Sequence, residues 1–199
     1  MMNNMGMVWV NWRKNALAAG VGAWALLAGP LAVLGQFTYT TNSADNTLTI
    51  TGYTNTDAEI AIPNNIGGRT VTQIGDLAFA SNTNLVRVTL PNGLTNIGNN
   101  AFYACSQLAT MAIPNGVARM GAYVFQSCGS LTNVTLGSGI RHLPDQAFQS
   151  CGNLSRITIP AGVTNIGNNA FYACGSLTNL SIPDGVVRVG DNAFYACGG

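Results

Sequence analysis

Apolar and polar positions along this chain form a block that returns every 23 residues. In the block from Leu154, apolar or small residues stand at Leu154, Ile157, Ile159, Val163, Ile166, Ala170, Phe171 and Cys174, with mostly polar residues between them. Leu85, Val88, Leu90, Leu94, Ile97, Phe102 and Cys105 take the same places without a gap. The aromatic recurs as Phe79, Phe102, Phe125, Phe148, Phe171 and Phe194, and the thiol as Cys105, Cys128, Cys151, Cys174 and Cys197. A fixed period of this size marks a stacked array in which each block is one turn of the chain.

Within a block the spacing changes from alternation to a tighter pattern. The segment Leu-x-x-Val-x-Leu alternates at its end, which predicts a short strand with its apolar side chains turned inward. Pro91, Pro114, Pro160 and Pro183 then stop the strand, because proline cannot donate to a ladder, and Gly137 breaks the third one. A second short extended piece, such as Thr95-Asn96-Ile97, leads to Gly98. Next comes Asp76, Asn99, Ala122, Asp145, Asn168 or Asp191, opening a short apolar turn. Asp or Asn in that place predicts an N-cap, whose side-chain oxygen accepts from a helix N–H, so a short helical turn is expected. Ala122 lacks the cap, and its helix is expected to fray.

One block cannot fold alone. About six large apolar side chains contribute on the order of 9–18 kcal/mol when buried, whereas ordering each of 23 residues costs about 1–2 kcal/mol in backbone entropy. Stacking offsets the deficit because each inner coil shares its core with two neighbours.

The Leu-x-x-Val-x-Leu frame, the 23-residue length and the turn Asn99-Asn100-Ala101-Phe102-Tyr103-Ala104-Cys105 resemble the BspA-like subclass of bacterial leucine-rich repeats. The resemblance covers about residues 59–199. It implies a right-handed leucine-rich-repeat solenoid with short parallel strands along one side and short helical turns on the convex side. It also implies a secreted or cell-surface protein concerned with adhesion and protein binding, with no shared catalytic residue.

The flanks depart from the block. Phe37 to Thr41 and Thr47 to Thr51 read as two strands around a turn, and a hairpin over residues 36–58 is placed to cover the open end of the first coil. The first coil is irregular, and Ile66-Gly67-Gly68-Arg69-Thr70 is expected to bulge out. The chain stops at Gly199 directly after the fifth cysteine, so the array of residues 59–199 is read as truncated at its C-terminus. At the other end, Arg13 and Lys14 precede an uncharged apolar run from Ala16 to Gly35. That order reads as a signal peptide over residues 1–35, cleaved before Gln36, with a retained membrane anchor as the alternative.

Charge and chemistry narrow the function. Charged residues are 8% of the chain and the net charge is +1, which gives no electrostatic footprint for nucleic acid. A membrane partner is implied only if the N-terminal segment is retained. Cysteines in one register on stacked coils point in parallel and do not converge as a bridge requires, so a ladder of buried free thiols is expected, with no metal site. His142, the single histidine, has Asp145 three residues on, but Asp145 already has a capping role and no nucleophile is uniquely placed. No active site and no cofactor are expected. Three Asn-x-Ser/Thr triplets, at Asn133, Asn153 and Asn179, are not read as glycan sites.

The outward positions vary while the core does not. Beside the first strand stand Arg87, Thr110, Asn133, Arg156 and Asn179, and beside the second Asn96, Arg119, His142, Asn165 and Arg188. The candidate binding residues are Arg87, Arg119, Asn133, His142, Arg156, Asn179 and Arg188, for a protein or polysaccharide ligand. The alternative is a structural spacer that holds another domain away from the cell envelope.

Overall fold

The protein is described by a computed structural model over residues 36–198. The expected signal or anchor segment lies outside the described residues. Fourteen strands follow in chain order. The hairpin strands are β1 (Phe37–Asn42) and β2 (Thr47–Tyr53). The first coil contains β3 (Glu59–Ala61), β4 (Asn65–Ile66) and β5 (Arg69–Ile74). After it each coil gives a three-residue and then a two-residue strand: β6 (Arg87–Thr89) and β7 (Asn96–Ile97), β8 (Thr110–Ala112) and β9 (Arg119–Met120), β10 (Asn133–Thr135) and β11 (His142–Leu143), β12 (Arg156–Thr158) and β13 (Asn165–Ile166). Among the described residues the last coil has only β14 (Arg188–Val189).

Stacking these coils builds parallel sheets, giving a parallel β-solenoid. The first strands line up as β3, β6, β8, β10 and β12, with Thr110 beside Asn133 and Asn133 beside Arg156. The second strands line up as β2, β5, β7 and β9, and then as a separate sheet of β11, β13 and β14. Their registers put Asn96 beside Arg119, His142 beside Asn165, and Asn165 beside Arg188. Central residues of the strands, such as Val88, Met111, Val134 and Ile157, point inward and join one continuous apolar core. No polar side chain is buried among the described residues.

The phenylalanines form a single stack through that core. Centroid separations from Phe79 to Phe194 run 5.1, 5.4, 5.5, 5.3 and 5.4 Å with nearly parallel rings. Offset stacking at this distance adds to the burial of each ring. The Phe102, Phe125, Phe148 and Phe171 side chains are fully enclosed, while Phe194 is only partly buried.

The turns differ from the expectation. There is no helix among the described residues. Two residues in every turn instead have left-handed backbone, for example Asn100 (φ 54°) and Ala104 (φ 54°), or Tyr123 (φ 61°) and Ser127 (φ 62°). A left-handed residue at the second position stops a helix before its first turn closes. The conformation aims alternate N–H groups along the array: Asn100, Phe102 and Ala104 donate to the carbonyls of Ala122, Val124 and Gln126 in the next coil. Two left-handed residues cost about 2–4 kcal/mol per coil, and three such hydrogen bonds return about 1.5–4.5 kcal/mol.

The supposed caps also work between coils. Asp76 Oδ1 accepts from Asn99 N–H at 2.7 Å, Asn99 Oδ1 from Ala122 N–H at 2.9 Å, Asp145 Oδ1 from Asn168 N–H at 2.7 Å, and Asn168 Oδ1 from Asp191 N–H at 2.9 Å. Ala122 therefore frays no helix; it leaves the step to Asp145 without its side-chain link.

That step is the weak one on the second-strand side. Gly98, Gly121, Gly167 and Gly190 each donate to a carbonyl of the preceding coil. They lie so close to it that an added Cβ would meet backbone nitrogen at 2.3–2.6 Å. Pro144 occupies the same place with a Cβ and no N–H. Its coil cannot approach as the others do, and the sheet ends at β9 and resumes at β11.

At the first end, β1 and β2 pair antiparallel and β2 runs parallel to β5. Tyr53 sits 5.2 Å from Phe37 and 6.2 Å from Phe79, ring to ring. The expected bulge at 66–70 is a tight hairpin, with Ile66 opposite Arg69 and positive φ at Gly67 and Gly68, the backbone of a two-residue turn.

Candidate functional site

The outward residues of the first strands form an exposed column. Arg87 and Arg156 are exposed and Asn133 is half-buried. Neither guanidinium has a hydrogen-bond or ionic partner among the described residues, in contrast to Arg69, which donates to Thr41, and Arg141, which donates to the Ser138 carbonyl. Asn179 does not extend the column as expected. No strand forms at residues 179–181, and its side chain donates to Thr178 Oγ1 at 3.4 Å.

A concavity of about 420 Å³ opens in this sheet between Arg87 and Pro114. It lies where β6 and β8 share one paired position, Arg87 with Thr110, whereas β8 and β10 share three. Thr89, Asn92, Thr110 and Ala112 line it above Val88 and Ile113.

Arg119, His142 and Arg188 stand on the second strands, all exposed and without side-chain partners among the described residues. The arginine columns beside the first and second strands do not share one sheet face. In the structure they occupy different sheets, separated in each coil by a corner such as Pro91–Leu94. A smaller groove of about 230 Å³ lies on this side, lined by His142, Asn165 and Arg188 along one wall and by Asp145 and Asn168 along the other. Each concavity holds one arginine, Arg188 here and Arg87 in the larger one, and the smaller adds an imidazole and a carboxylate.

The thiols are structural. Cys105, Cys128, Cys151 and Cys174 are buried and free, and each Sγ donates to a phenylalanine carbonyl of the preceding coil at 3.0–3.1 Å. Burial pushes Cys105 and Cys174 up to about 12 and raises Cys128 and Cys151 as well. A thiol held protonated is a poor nucleophile and a poor metal ligand. Cys197 departs from the set, being only partly buried. Around His142 the chemistry is equally sparse: Asp145 Oδ1 is occupied by Asn168 N–H, and no hydroxyl, thiol or amine lines the groove.

The sequence over residues 72–199 matches the BspA type leucine rich repeat region in six copies. The chain belongs to the BspA-type leucine-rich repeat family. A leucine rich cell surface protein from Faecalibacterium prausnitzii has a similar structure, with TM-score 0.62 and 32% identity over 82% of this chain and 51% of that one. A leucine-rich repeat protein from Eubacterium ventriosum gives TM-score 0.57 and 23% identity, over 80% of this chain and 50% of the other. The pneumococcal vaccine antigen PcpA gives TM-score 0.51 and 19% identity, over 75% and 48%. This BspA-type chain therefore spans about half the length of these proteins. No curated protein matches it.

The family's repeat frame accounts for the inward residues and leaves the outward columns unassigned. Sequence reasoning placed Asn165 in an outward column and Asn168 at a cap, but not as facing sides of one groove. The available signal was the glycine before each Asp or Asn, which leaves a gap between two polar columns.

Proposed function

We propose that the protein is a non-enzymatic module of the cell surface or its surroundings that binds a protein or polysaccharide through the outward columns of the array. One observation carries this reading: Arg87, Arg119, Arg156, His142 and Arg188 are exposed at outward strand positions, His142 and Arg188 in one register through Asn165, and have no internal partner among the described residues. Unpaired guanidinium groups along a sheet present planar donor forks to carboxylates or sulfates, and no internal bond has to break first. Asn133 and the threonines between them offer further hydrogen bonds. The surface location rests on the likeness to the Faecalibacterium cell surface protein.

The test is a variant with Arg87, Arg119, Arg156 and Arg188 all changed to Ser. Binding to cells or matrix from the native environment is expected to weaken, and added salt is expected to weaken the unmodified protein. Thermal stability is expected to stay nearly unchanged because exposed charges contribute little to folding. Equal binding by the variant would favour the spacer reading.

A further inference from the structure

Most coils carry a glycine between the second strand and the turn, and one carries Pro144 there. Gly98, Gly121, Gly167 and Gly190 are required there by close contact with the preceding coil. Where Gly167 and Gly190 follow one another, their missing side chains leave a gap between two polar columns. That gap is the 230 Å³ groove, which also reaches His142 and Asp145 on either side of Pro144.

We propose that this groove is a subsite for one carboxylated sugar residue, a uronic acid within a polysaccharide. The proposal rests on the binding-module reading above and names the ligand and the place. Size is the first constraint. Pockets for drug-sized ligands are about 300–1,000 Å³, so a groove of about 230 Å³ suits a single ring.

Wall chemistry is the second. His142 and Arg188 flank Asn165, two coils apart, which is about 10 Å at sheet spacing. None of the three side chains has a partner among the described residues, and all three present N–H donors to an anion or an oxygen. The opposite wall is an acceptor: Asp145 Oδ1 is taken by Asn168 N–H, while Oδ2 has only the Asn168 amide at 3.4 Å and retains free lone pairs. A ligand must therefore bring negative charge to Arg188 and O–H donors to Asp145.

Simpler ligands serve the two walls less well. A bare sulfate ion sets anionic oxygens against Asp145 with no donor between. A polyglutamate peptide brings carboxylates, but its donors are backbone N–H groups fixed in the chain rather than hydroxyls beside each carboxylate. A neutral glucan leaves the guanidinium unpaired. A uronic acid carries its carboxylate on the same ring as vicinal hydroxyls and serves both walls.

The full chain is titrated by calorimetry with an oligosaccharide of alternating glucuronic acid and N-acetylglucosamine, with its carboxyl-reduced counterpart, and with a polyglutamate peptide. The glucuronate oligosaccharide is expected to bind, with the reduced form about tenfold weaker or worse, as loss of a charge-assisted bond predicts. Arg188→Gln is expected to cost about the same factor and to melt like the parent, while Arg69→Gln, in the hairpin of the first coil and outside the candidate columns, leaves the affinity at the parent's value. No binding of the oligosaccharide, equal binding of its reduced form, polyglutamate binding as tightly, or an unaffected Arg188→Gln each overturns the proposal. If the oligosaccharide fails while the unmodified chain binds cells and the fourfold arginine variant does not, the subsite alone falls. If Arg188→Gln loses the oligosaccharide but the fourfold variant still binds cells like the parent, the subsite stands and the cell-binding reading falls.

Discussion

Phe79 and Phe194 hold the same place in their coils and stack on a neighbouring phenylalanine at 5.1 and 5.4 Å, yet Phe79 is 2% exposed and Phe194 only partly buried. At the Phe79 end the β1–β2 hairpin supplies Phe37 and Tyr53. In the last described coil Ile182, Val187, Val189 and Tyr195 are exposed, and the first strand does not form. The block is nearly the same at both places, so burial is not a property of the block. It belongs to the pair of surfaces that meet, and the energetics of each residue follow its neighbours.

The comparison can be broken most sharply at the phenylalanines. Phe148→Ala removes a ring enclosed by two others and is expected to cost about 3–5 kcal/mol in denaturant unfolding. Phe194→Ala is expected to cost about half as much or less, since part of its surface already meets solvent. Equal costs would contradict the account.

The thiols sharpen the same contrast. In native protein Cys197, partly buried and with its thiol still raised by desolvation, is expected to react with a thiol reagent slowly but detectably, and the other four only after unfolding. The buried four also tie stability to pH. Their folded values lie above the ordinary 9.0, with Cys105 and Cys174 near 12, so the unfolded chain releases protons that the native state keeps. That contribution is fully present below about pH 9 and is lost at about 1.4 kcal/mol per thiol per pH unit as pH rises towards 12. Denaturant midpoints at pH 8 and 10 check the sign.

Smaller effects belong to the Pro144 step. Ala122→Asn combined with Pro144→Gly supplies the side-chain acceptor and the backbone donor that the other steps possess. The expected gain is about 1 kcal/mol, with slower hydrogen exchange at the Arg141 and His142 amides. Thr135→Ala, on the exposed face of β10, is expected to change stability by less than about 0.5 kcal/mol.

Much of this was legible in sequence because stacked coils repeat their inward chemistry. The 23-residue spacing placed the phenylalanine stack, the thiol ladder and the first strands. The turns were not legible, because Asp or Asn before an apolar turn is the same signal whether its oxygen binds its own helix or the next coil. A hint lay one position later, where Asn100, Asn169 and Asn192 stand: asparagine tolerates left-handed backbone better than most residues. Leu77, Tyr123 and Gln146 in the same place carry no such hint. The candidate columns were found by register, but their division between two sheets depends on the corner at each proline, which spacing does not reveal.

The central claim is that the outward columns bind and the core only supports them. Its direct measurement compares two double variants, Arg87→Ser with Arg156→Ser and Arg119→Ser with Arg188→Ser, for binding to native cells or matrix. At least one pair is expected to weaken binding while its melting temperature stays at the parent's value. Parental binding by both pairs would contradict the claim.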